Sequence, residues 1–237
     1  SYFEAISGFT STGFTIFENI KQLDESLILW RSTSQWIGGI FFLFSILLLI
    51  DIFDKNLKQS FTEYLSFNYN EIFKQSFKII IIYSTLTLLI FILFKTINLR
   101  TFDAFNLSLS IISSGGFLSV NRIDYLFESD VSKIILSFTM LLSFFSLFLI
   151  YNLIFFNKNK LKFLSEDFNL LIYLLILISF SFVFLNSSNN FPAILVAISS
   201  SVSNIGFSFL DTPKNMTFVF FIIVVIGGSF FSTGSGI

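Results

Sequence analysis

Long apolar runs alternate with short polar segments along this chain, and four of the runs are long enough to cross a lipid bilayer. A bilayer core about 30 Å thick needs roughly 20 apolar residues in a helix. The four runs are Leu27–Ile50, Lys78–Ile97, Val131–Phe156 and Phe168–Leu185. A fifth run, Met216–Ile226, is followed at once by the sequence GGSFFSTGSGI. It predicts a helix that is interrupted about halfway through the membrane.

The segments between these runs are of two kinds. Asp51–Gln75 and Asn157–Asp167 are rich in charged and polar residues, which is typical of loops in water. Thr101–Asn121 and Asn190–Phe209 each hold a mildly apolar segment of roughly 10 to 13 residues, too short to span a bilayer, and then a stretch rich in Ser and Gly. Each of these two segments is predicted to enter the membrane as a short helix and to return as a loop.

A nine-residue pattern occurs three times in the chain. The copies are SGFTSTGFT (7–15), SIISSGGFL (110–118) and SSVSNIGFS (200–208), and all fit S-x-x-[ST]-[SN]-x-G-F-x. They share a glycine, at Gly13, Gly116 and Gly206. Each copy precedes a long apolar run, so the repeating unit is predicted to be helix, short re-entrant helix, Ser/Thr/Gly loop, helix.

Loops of this composition favour a cation pathway that is built from the backbone. Non-helical backbone at membrane depth is tolerated only where protein or water satisfies its polar groups. Glycine permits the positive φ that turns successive carbonyls in one direction, and a ring of carbonyls replaces the hydration shell of a dehydrated alkali cation. The alternative is that Ser, Thr and Gly only let transmembrane helices pack closely. Three copies in one context favour the cation pathway.

The interrupted fifth run predicts a gate or hinge. Each Gly costs roughly 1 kcal/mol relative to Ala in a helix interior, so a segment this rich in Gly is expected to unwind near the membrane midplane. A small unwound segment there obstructs a pore until it moves, whereas the alternative is a close-packing face of the GxxxG type. The predicted gate residues are Gly227, Gly228, Ser232, Thr233, Gly234, Ser235 and Gly236.

Composition supports a membrane protein and disfavours other classes of site. Of the 237 residues, 54% are hydrophobic and 12% are charged, whereas a soluble domain carries about 25% charged residues. The formal net charge of −1 indicates no nucleic-acid partner. The sequence has no Cys and no His, which removes thiolate metal sites and the commonest general base. We therefore expect no enzymatic activity. A structural scaffold would not require glycine at matched positions.

Five segments of the chain resemble one known family, the Trk/Ktr potassium transporters, and within it the TrkH-like membrane subunits. The most specific is LILWRSTSQWIGGI (27–40), which is similar to the start of the helix after the first pore loop. The other segments resemble the three pore loops and a glycine-rich helix break; they are FEAISGFTSTGFT (3–15), FDAFNLSLSIISSGGFLS (102–119), VAISSSVSNIGFSF (196–209) and IGGSFFSTGSGI (226–237).

The resemblance implies an all-α integral membrane fold of repeated helix–pore loop–helix units, potassium-channel-like, with four repeats around one cation pathway. This chain is expected to be incomplete at both ends and to lack the fourth repeat. The expected divisions are 1–50 (pore loop and second helix of the first repeat), 51–77 (cytoplasmic connector), 78–157 (second repeat), 158–167 (cytoplasmic loop) and 168–237 (third repeat, with its broken helix and gate).

The resemblance also implies a set of potassium-binding filter residues. They are Thr12 and Gly13 in the first loop, Gly115 and Gly116 in the second, and Asn204, Ile205 and Gly206 in the third. In the family, Ser in place of a filter glycine goes with sodium transport, so the three glycines favour potassium. The chain departs from the family's usual residues at Ser114, Leu118, Phe230, Phe231 and Ser235, and its third loop continues Gly-Phe-Ser.

The function implied is potassium uptake through a backbone-carbonyl filter and a Gly-rich intramembrane gate. The alternatives are a sodium/potassium transporter of the same fold, or a secondary transporter with broken helices. The latter predicts a charged side chain at the breaks, and neither the three loops nor 227–237 contains one. The resemblance implies a homodimer of pore subunits in the lipid of a bacterial inner membrane. It also implies a cytoplasmic nucleotide-binding regulatory subunit of the TrkA/KtrA type, with K+ as the transported ion and no cofactor in this chain.

Arg31 is a charge just inside the first apolar run. It is expected either to position the pore loop, through backbone carbonyls or by pairing with Glu4, or to extend its side chain to the membrane interface. Trp30 and Trp36 are expected to anchor the helix at the interface and to pack there, rather than to contact a ligand.

Overall fold

The computed structural model describes residues 2–53, 72–145, 147, 164–185, 191–207, 209, 217–229 and 232–234. Eight α-helices lie within them. They are α1 Tyr2–Phe9, α2 Glu25–Phe53, α3 Ile72–Thr96, α4 Thr101–Ile112, α5 Asp130–Phe144, α6 Leu164–Leu185, α7 Phe191–Val202 and α8 Thr217–Ile226. Two 3-10 turns, Ile20–Gln22 and Ile123–Tyr125, follow the first and second loops.

The helices confirm the predicted all-α fold of alternating long and short elements. The long apolar runs became α2, α3 and α6, each of more than 20 residues. The short apolar segments became α4 and α7, with 12 residues each, which corresponds to about 18 Å of helix. Among the described residues, one segment, Ser76–Thr96, is by itself long and apolar enough to cross a membrane.

The short helices α1, α4 and α7 pack in a regular order. Each lies against a helix that directly follows or precedes it in its own unit: α1 against α2, α4 against α3, and α7 against α8. In addition, α4 packs on α2 and α7 packs on α5, so a short helix also rests on the second long helix of the preceding unit. The second and third units therefore each pack a short helix against the unit before them.

Helix α3 is apolar on the face that packs against protein and on the opposite, exposed face. One face buries Ile79, Tyr83, Leu86, Ile90 and Phe94, which recur every three or four residues as a helix requires. The opposite face is apolar too, with exposed large side chains at Phe77, Ile81, Leu88 and Ile92. A helix that is apolar all round belongs in a protein core or in lipid, and within the part of the chain that the structure describes, the face of α3 with these exposed side chains is not covered by protein.

Helix α5 ends at a break that was not predicted. The sequence predicted one apolar run over Val131–Phe156, but α5 ends at Phe144 and Phe145 is extended, with φ −79 and ψ 154. Helix termination leaves carbonyls without intrahelical partners. Two of them find partners in the Gly-rich segment: the Ser229 N–H donates to the Phe144 oxygen (2.9 Å) and the Gly234 N–H to the Ser143 oxygen (3.2 Å). The break in α5 therefore faces the predicted break after α8.

Several predicted features lie outside the described residues. These are most of the two polar connectors, the end of the run through Phe156, and four residues of the Gly-rich segment, namely Phe230, Phe231, Ser235 and Gly236.

Candidate functional site

The three repeated loops have the same backbone conformation. In each loop a non-glycine residue with positive φ stands two positions before a glycine with positive φ. The first residues are Ser11, Ser114 and Asn204, with φ of 51, 51 and 56; the glycines are Gly13, Gly116 and Gly206, with φ of 78, 77 and 83. A left-handed φ is uncommon outside glycine and costs about 1–3 kcal/mol for other residues, so its threefold occurrence marks one shared geometry.

Each short helix also ends in the same hydrogen-bonding pattern. The amide just before the repeat glycine donates to the carbonyl five residues earlier: Thr12 to Ser7 at 3.0 Å, Gly115 to Ser110 at 2.8 Å and Ile205 to Ser200 at 3.1 Å. With the left-handed residue before it, this is the Schellman ending of an α-helix. The matched sequence pattern thus encodes a helix stop followed by a sharply turned loop.

Neighbouring loops meet in a regular way. A Cβ added to Gly13 would collide with the carbonyl oxygen of Gly115, and one added to Gly116 would collide with that of Ile205. Thr12, Gly115 and Ile205 hold equivalent positions, directly before the repeat glycine. The glycines of the first and second loops therefore lie against the equivalent carbonyl of the following loop, as two successive contacts of a ring would, whereas the Cβ position of Gly206 is open. The structure thus brings Gly13, Gly115, Gly116 and Ile205 together.

A cavity of about 390 Å³ lies where the short helices end. The ends of α1, α4 and α7 reach it through Ser11, Ser114 and Asn204, and Thr233 of the Gly-rich segment closes part of it. The described residues that line it carry no charged side chain. A helix C-terminus carries the negative end of its dipole, equivalent to about half an elementary charge. Three such ends at one cavity favour a cation.

A buried ion pair holds the first loop. Nε of Arg31 on α2 lies 3.0 Å from Oε2 of Glu4 on α1, and each side chain is 1% exposed. The other carboxylate oxygen accepts from Thr15 Oγ1 (2.7 Å) and from the amide of Ile16 (2.8 Å), two residues that follow Gly13. The guanidinium also lies 4.2 Å from the ring centre of Phe117 in the second loop. Of the two roles expected for Arg31, pairing with Glu4 is the one found.

The second loop has a related carboxylate. Asp103, near the start of α4, accepts a 2.7 Å hydrogen bond from Ser119, which follows Gly116 by three residues. Beyond it, Asn121 accepts from the amide of Ile20 (2.7 Å) and donates to Asn19 (3.0 Å), which joins the ends of the first two loops. A carboxylate near the start of a short helix thus holds the chain after the repeat glycine in both units.

The motif WIGG on α2 has a packing explanation. A Cβ at Gly38 would collide with the backbone oxygen of Phe9 at the end of α1, and a Cβ at Gly39 would collide with the Tyr83 hydroxyl. Small residues let helices approach closely inside a membrane. Trp36 donates to Thr87 at 3.0 Å and its ring packs on Tyr83, which supports a packing role, while Trp30 is exposed.

The Gly-rich segment lies directly beside the loops. Thr233 donates to the carbonyl of Ile112, the last residue of α4, at 2.7 Å. The side-chain amide of Asn204 donates to the Gly234 carbonyl at 2.8 Å. Gly227 has a positive φ of 66, so the chain leaves the helical conformation just after α8 ends. Of the predicted gate residues, Gly227, Gly228, Ser232, Thr233 and Gly234 are described, whereas Ser235 and Gly236 are not.

Sequence reasoning missed two features of this site. Gln35 of α2 is fully buried and binds the second loop on both sides of Gly116. The only signal for it was its place within the LILWRSTSQWIGGI segment. The carbonyls of Ser143 and Phe144 were also missed, because nothing in an apolar run shows where its helix will end.

Comparison with known proteins finds relatives that match nearly the whole chain. The chain is 26% identical over 249 residues to an uncharacterised cation transporter of Methanocaldococcus jannaschii, and the alignment covers 99% of this chain and 49% of that protein. The chain is also 26% identical over 255 residues to the Trk system potassium uptake protein TrkH of Halomonas elongata, and that alignment covers 99% of this chain and 52% of that protein. No family model matches the chain.

The fold is that of a solved transporter. The chain matches the crystal structure of the potassium transporter TrkH from Vibrio parahaemolyticus with a TM-score of 0.83 and 23% identity, over 99% of this chain and 51% of that one. The predicted resemblance to TrkH-like membrane subunits is therefore confirmed. The chain spans about half the length of the relatives it matches.

Proposed function

We propose that this chain supplies three loops of a potassium-uptake pathway and the gate beneath them. The observation that carries the proposal is the packing of the loops, in which the repeat glycines of the first and second loops lie against the equivalent carbonyl of the following loop. Loops that repeat one conformation and meet in this way are suited to carry backbone oxygens around one axis, as a filter for dehydrated cations requires. The potassium-binding residues of the proposal are Thr12, Gly13, Gly115, Gly116, Asn204, Ile205 and Gly206.

The charges around the cavity favour a cation that binds weakly and is released, rather than one that is bound permanently. Three helix C-termini stabilise positive charge at the cavity, yet the described lining holds no carboxylate. A carboxylate in a dry cavity would bind a cation too tightly for rapid release, since conduction requires binding that is weak enough to leave. The relative from Halomonas elongata is named as a potassium uptake protein, which agrees with this chemistry.

Potassium is preferred to sodium in this proposal because all three loops keep a glycine at the matched position. The two alternatives, a sodium/potassium transporter of the same fold and a secondary transporter, differ from it in measurable ways. The first would carry sodium at a comparable rate. The second would couple uptake to a second ion, for which a buried charge at the helix breaks would be expected.

The gate of the proposal is the segment from Gly227 to Gly236. Its described part is held by neutral hydrogen bonds: Thr233 donates to Ile112, Asn204 to Gly234, and the amides of Ser229 and Gly234 donate to the end of α5. Such bonds contribute only about 1 kcal/mol each. A partner that pulls on α8 would therefore have to supply only a few kcal/mol to break them. We propose that a nucleotide-binding subunit of the TrkA/KtrA type supplies this force, and that the pore subunit is a homodimer in a bacterial inner membrane.

The deciding experiment is potassium uptake by the full-length protein in cells that lack their own uptake systems. Growth at low potassium, with rubidium uptake that exceeds sodium uptake, is expected. Comparable rubidium and sodium fluxes would favour the sodium/potassium transporter. Uptake that stops when a sodium or proton gradient collapses, while the membrane potential is clamped, would favour the secondary transporter. No uptake from a protein verified in the membrane would overturn the proposal.

A further inference from the structure

The second loop lacks a side chain that the other two loops possess. At the position before the repeat glycine, the first loop has Thr12 and the third has Ile205, but the second has Gly115. Without a side chain, backbone in this position would have no packing partner and would adopt other conformations more easily. The loop nevertheless has the same left-handed geometry as the others, at Ser114 and Gly116. Something outside the loop must hold it.

Gln35 of α2 occupies the vacant space. A Cβ built on Gly115 would collide with the side-chain amide carbon of Gln35. The Gln35 side chain is 0% exposed, and its Nε2 donates to the Gly115 carbonyl at 2.5 Å. Its Oε1 accepts from the amide of Phe117 at 3.3 Å. The two bonds lie on either side of Gly116, so one side chain fixes both peptide groups that flank the repeat glycine.

We infer that Gln35 is a positioning residue that replaces the missing side chain at position 115 and sets the ion selectivity of the second loop. The bonded Gly115 oxygen is also the one that faces Gly13 of the first loop. A shift of this oxygen therefore changes the spacing between two loops. The part of the inference that concerns ion selectivity rests on the proposed function. The part that concerns the two hydrogen bonds from Gln35 to the second loop, called the brace below, does not, because it is tested without any measurement of transport.

The first test is amide exchange in the full-length purified protein. Gln35→Met keeps the side-chain length and removes both hydrogen bonds. We expect exchange at the Phe117 amide to rise about tenfold, the effect of one lost buried hydrogen bond, while exchange at Phe14 in the first loop stays the same. Ser32→Ala is the control, because Ser32 is buried on the same helix and its hydroxyl donates to Ile28 of that helix. Unchanged exchange at Phe117 would overturn the brace, whatever the protein transports.

The second test is selectivity in proteoliposomes, measured as the ratio of rubidium to sodium uptake. Gln35→Met is expected to lower the ratio about tenfold and Ser32→Ala to leave it unchanged, because a displaced carbonyl costs about as much as a lost hydrogen bond. Faster exchange with an unchanged ratio would show that Gln35 holds the loop without setting selectivity, which would overturn that part of the inference. A wild-type protein that takes up no rubidium would contradict the proposed function, and the exchange result would still decide the brace.

The third test changes the volume of the side chains at positions 115 and 35, and it remains informative if Gln35→Met fails to fold. Gly115→Ala alone should impair assembly, because its Cβ collides with Gln35. Gly115→Ala combined with Gln35→Ala should recover monodisperse protein, since the shortened residue makes room for the new methyl group. Equal damage in the single and double variants would show that Gln35 does not occupy the place of a side chain at position 115, and would overturn the inference.

Discussion

Glu4 and Arg31 form an ion pair between the first short helix and α2 that is closed to solvent, with Nε and Oε2 3.0 Å apart and both side chains 1% exposed. The pair also fixes the first loop, because the second oxygen of Glu4 accepts from Thr15 and from the Ile16 amide. No hydrogen-bond partner for the Arg31 Nη atoms lies among the described residues. The guanidinium lies instead over Phe117, so this one side chain contacts both loops.

Removing one charge of this pair should destabilise the protein strongly. Glu4→Gln leaves a buried guanidinium without its counter-charge, which costs about 3–5 kcal/mol. A large fall in the melting temperature of the purified protein is expected. The double variant Glu4→Gln with Arg31→Met should lose less than the sum of the single variants, because the two sites are coupled. Arg100→Ala, which breaks the exposed pair with Glu25, should cost less than about 1 kcal/mol. Equal losses for Glu4→Gln and Arg100→Ala would contradict this account.

Gly116→Ser should reduce discrimination between potassium and sodium. The new side chain would stand at φ 77 and collide with the Ile205 carbonyl, and a strain of about 1–3 kcal/mol corresponds to roughly fivefold or more in relative uptake. Rubidium and sodium uptake by the full-length protein give the ratio. Val120→Ala, in the same loop at a residue without positive φ, should leave it unchanged. A Gly116→Ser protein with the wild-type ratio would show that this glycine is not in the filter.

Gly38→Ala should destabilise the protein although alanine is the better helix former. Helix propensity alone predicts a gain of about 1 kcal/mol. The added Cβ, however, would overlap the Phe9 backbone oxygen, and overpacking costs typically 1–3 kcal/mol. Thermal unfolding measures the balance. Ser45→Ala, at an exposed position on the same helix, gives the propensity effect without the clash. If both variants gain stability, the close approach of α2 to α1 is not what requires this glycine.

Thr233→Val should increase basal uptake. The change keeps the shape of the side chain and removes its hydrogen bond to Ile112. One neutral hydrogen bond contributes about 1 kcal/mol, so basal rubidium flux measured without any regulatory subunit is expected to rise about fivefold. Thr139→Val provides the matched control, because Thr139 is buried but donates within its own helix to Leu136. A flux that is unchanged or reduced would show that this bond does not restrain a gate.

Ser11 should tolerate asparagine and reject valine. Asn204 holds the equivalent position in the third loop, with φ 56 against 51 for Ser11, and asparagine is one of the residues that adopt this conformation most readily. Valine is β-branched and should cost about 1–2 kcal/mol there. Melting temperatures of Ser11→Asn and Ser11→Val test the difference. Equal stability of the two variants would mean that the left-handed turn is not maintained in solution.

The sequence predicted much of the fold because the relevant signals are local. The length of an apolar run determines whether its helix can span a bilayer, and the runs that became α2, α3 and α6 were all identified. The repeated S-x-x-[ST]-[SN]-x-G-F-x pattern was found by comparing short stretches. Its structural meaning is also local, since the Schellman bonds join residues five apart. The break after α5 was not predicted, because the partners of the Ser143 and Phe144 carbonyls lie far along the chain.

By itself, then, the sequence determined a membrane-embedded all-α chain, the three positions at which a short helix stops and turns, and the glycine-rich break after the last run. Only the tertiary structure decided which carbonyl faces which glycine, where α5 ends, and that Gln35 fills the space left by Gly115. Gln35 and Gly115 are 80 residues apart, and Thr233 and Ile112 are 121 residues apart. Contacts of this kind leave no periodic pattern in the sequence. They are selected by the shape and hydrogen-bonding capacity of surfaces that meet only after the helices have packed.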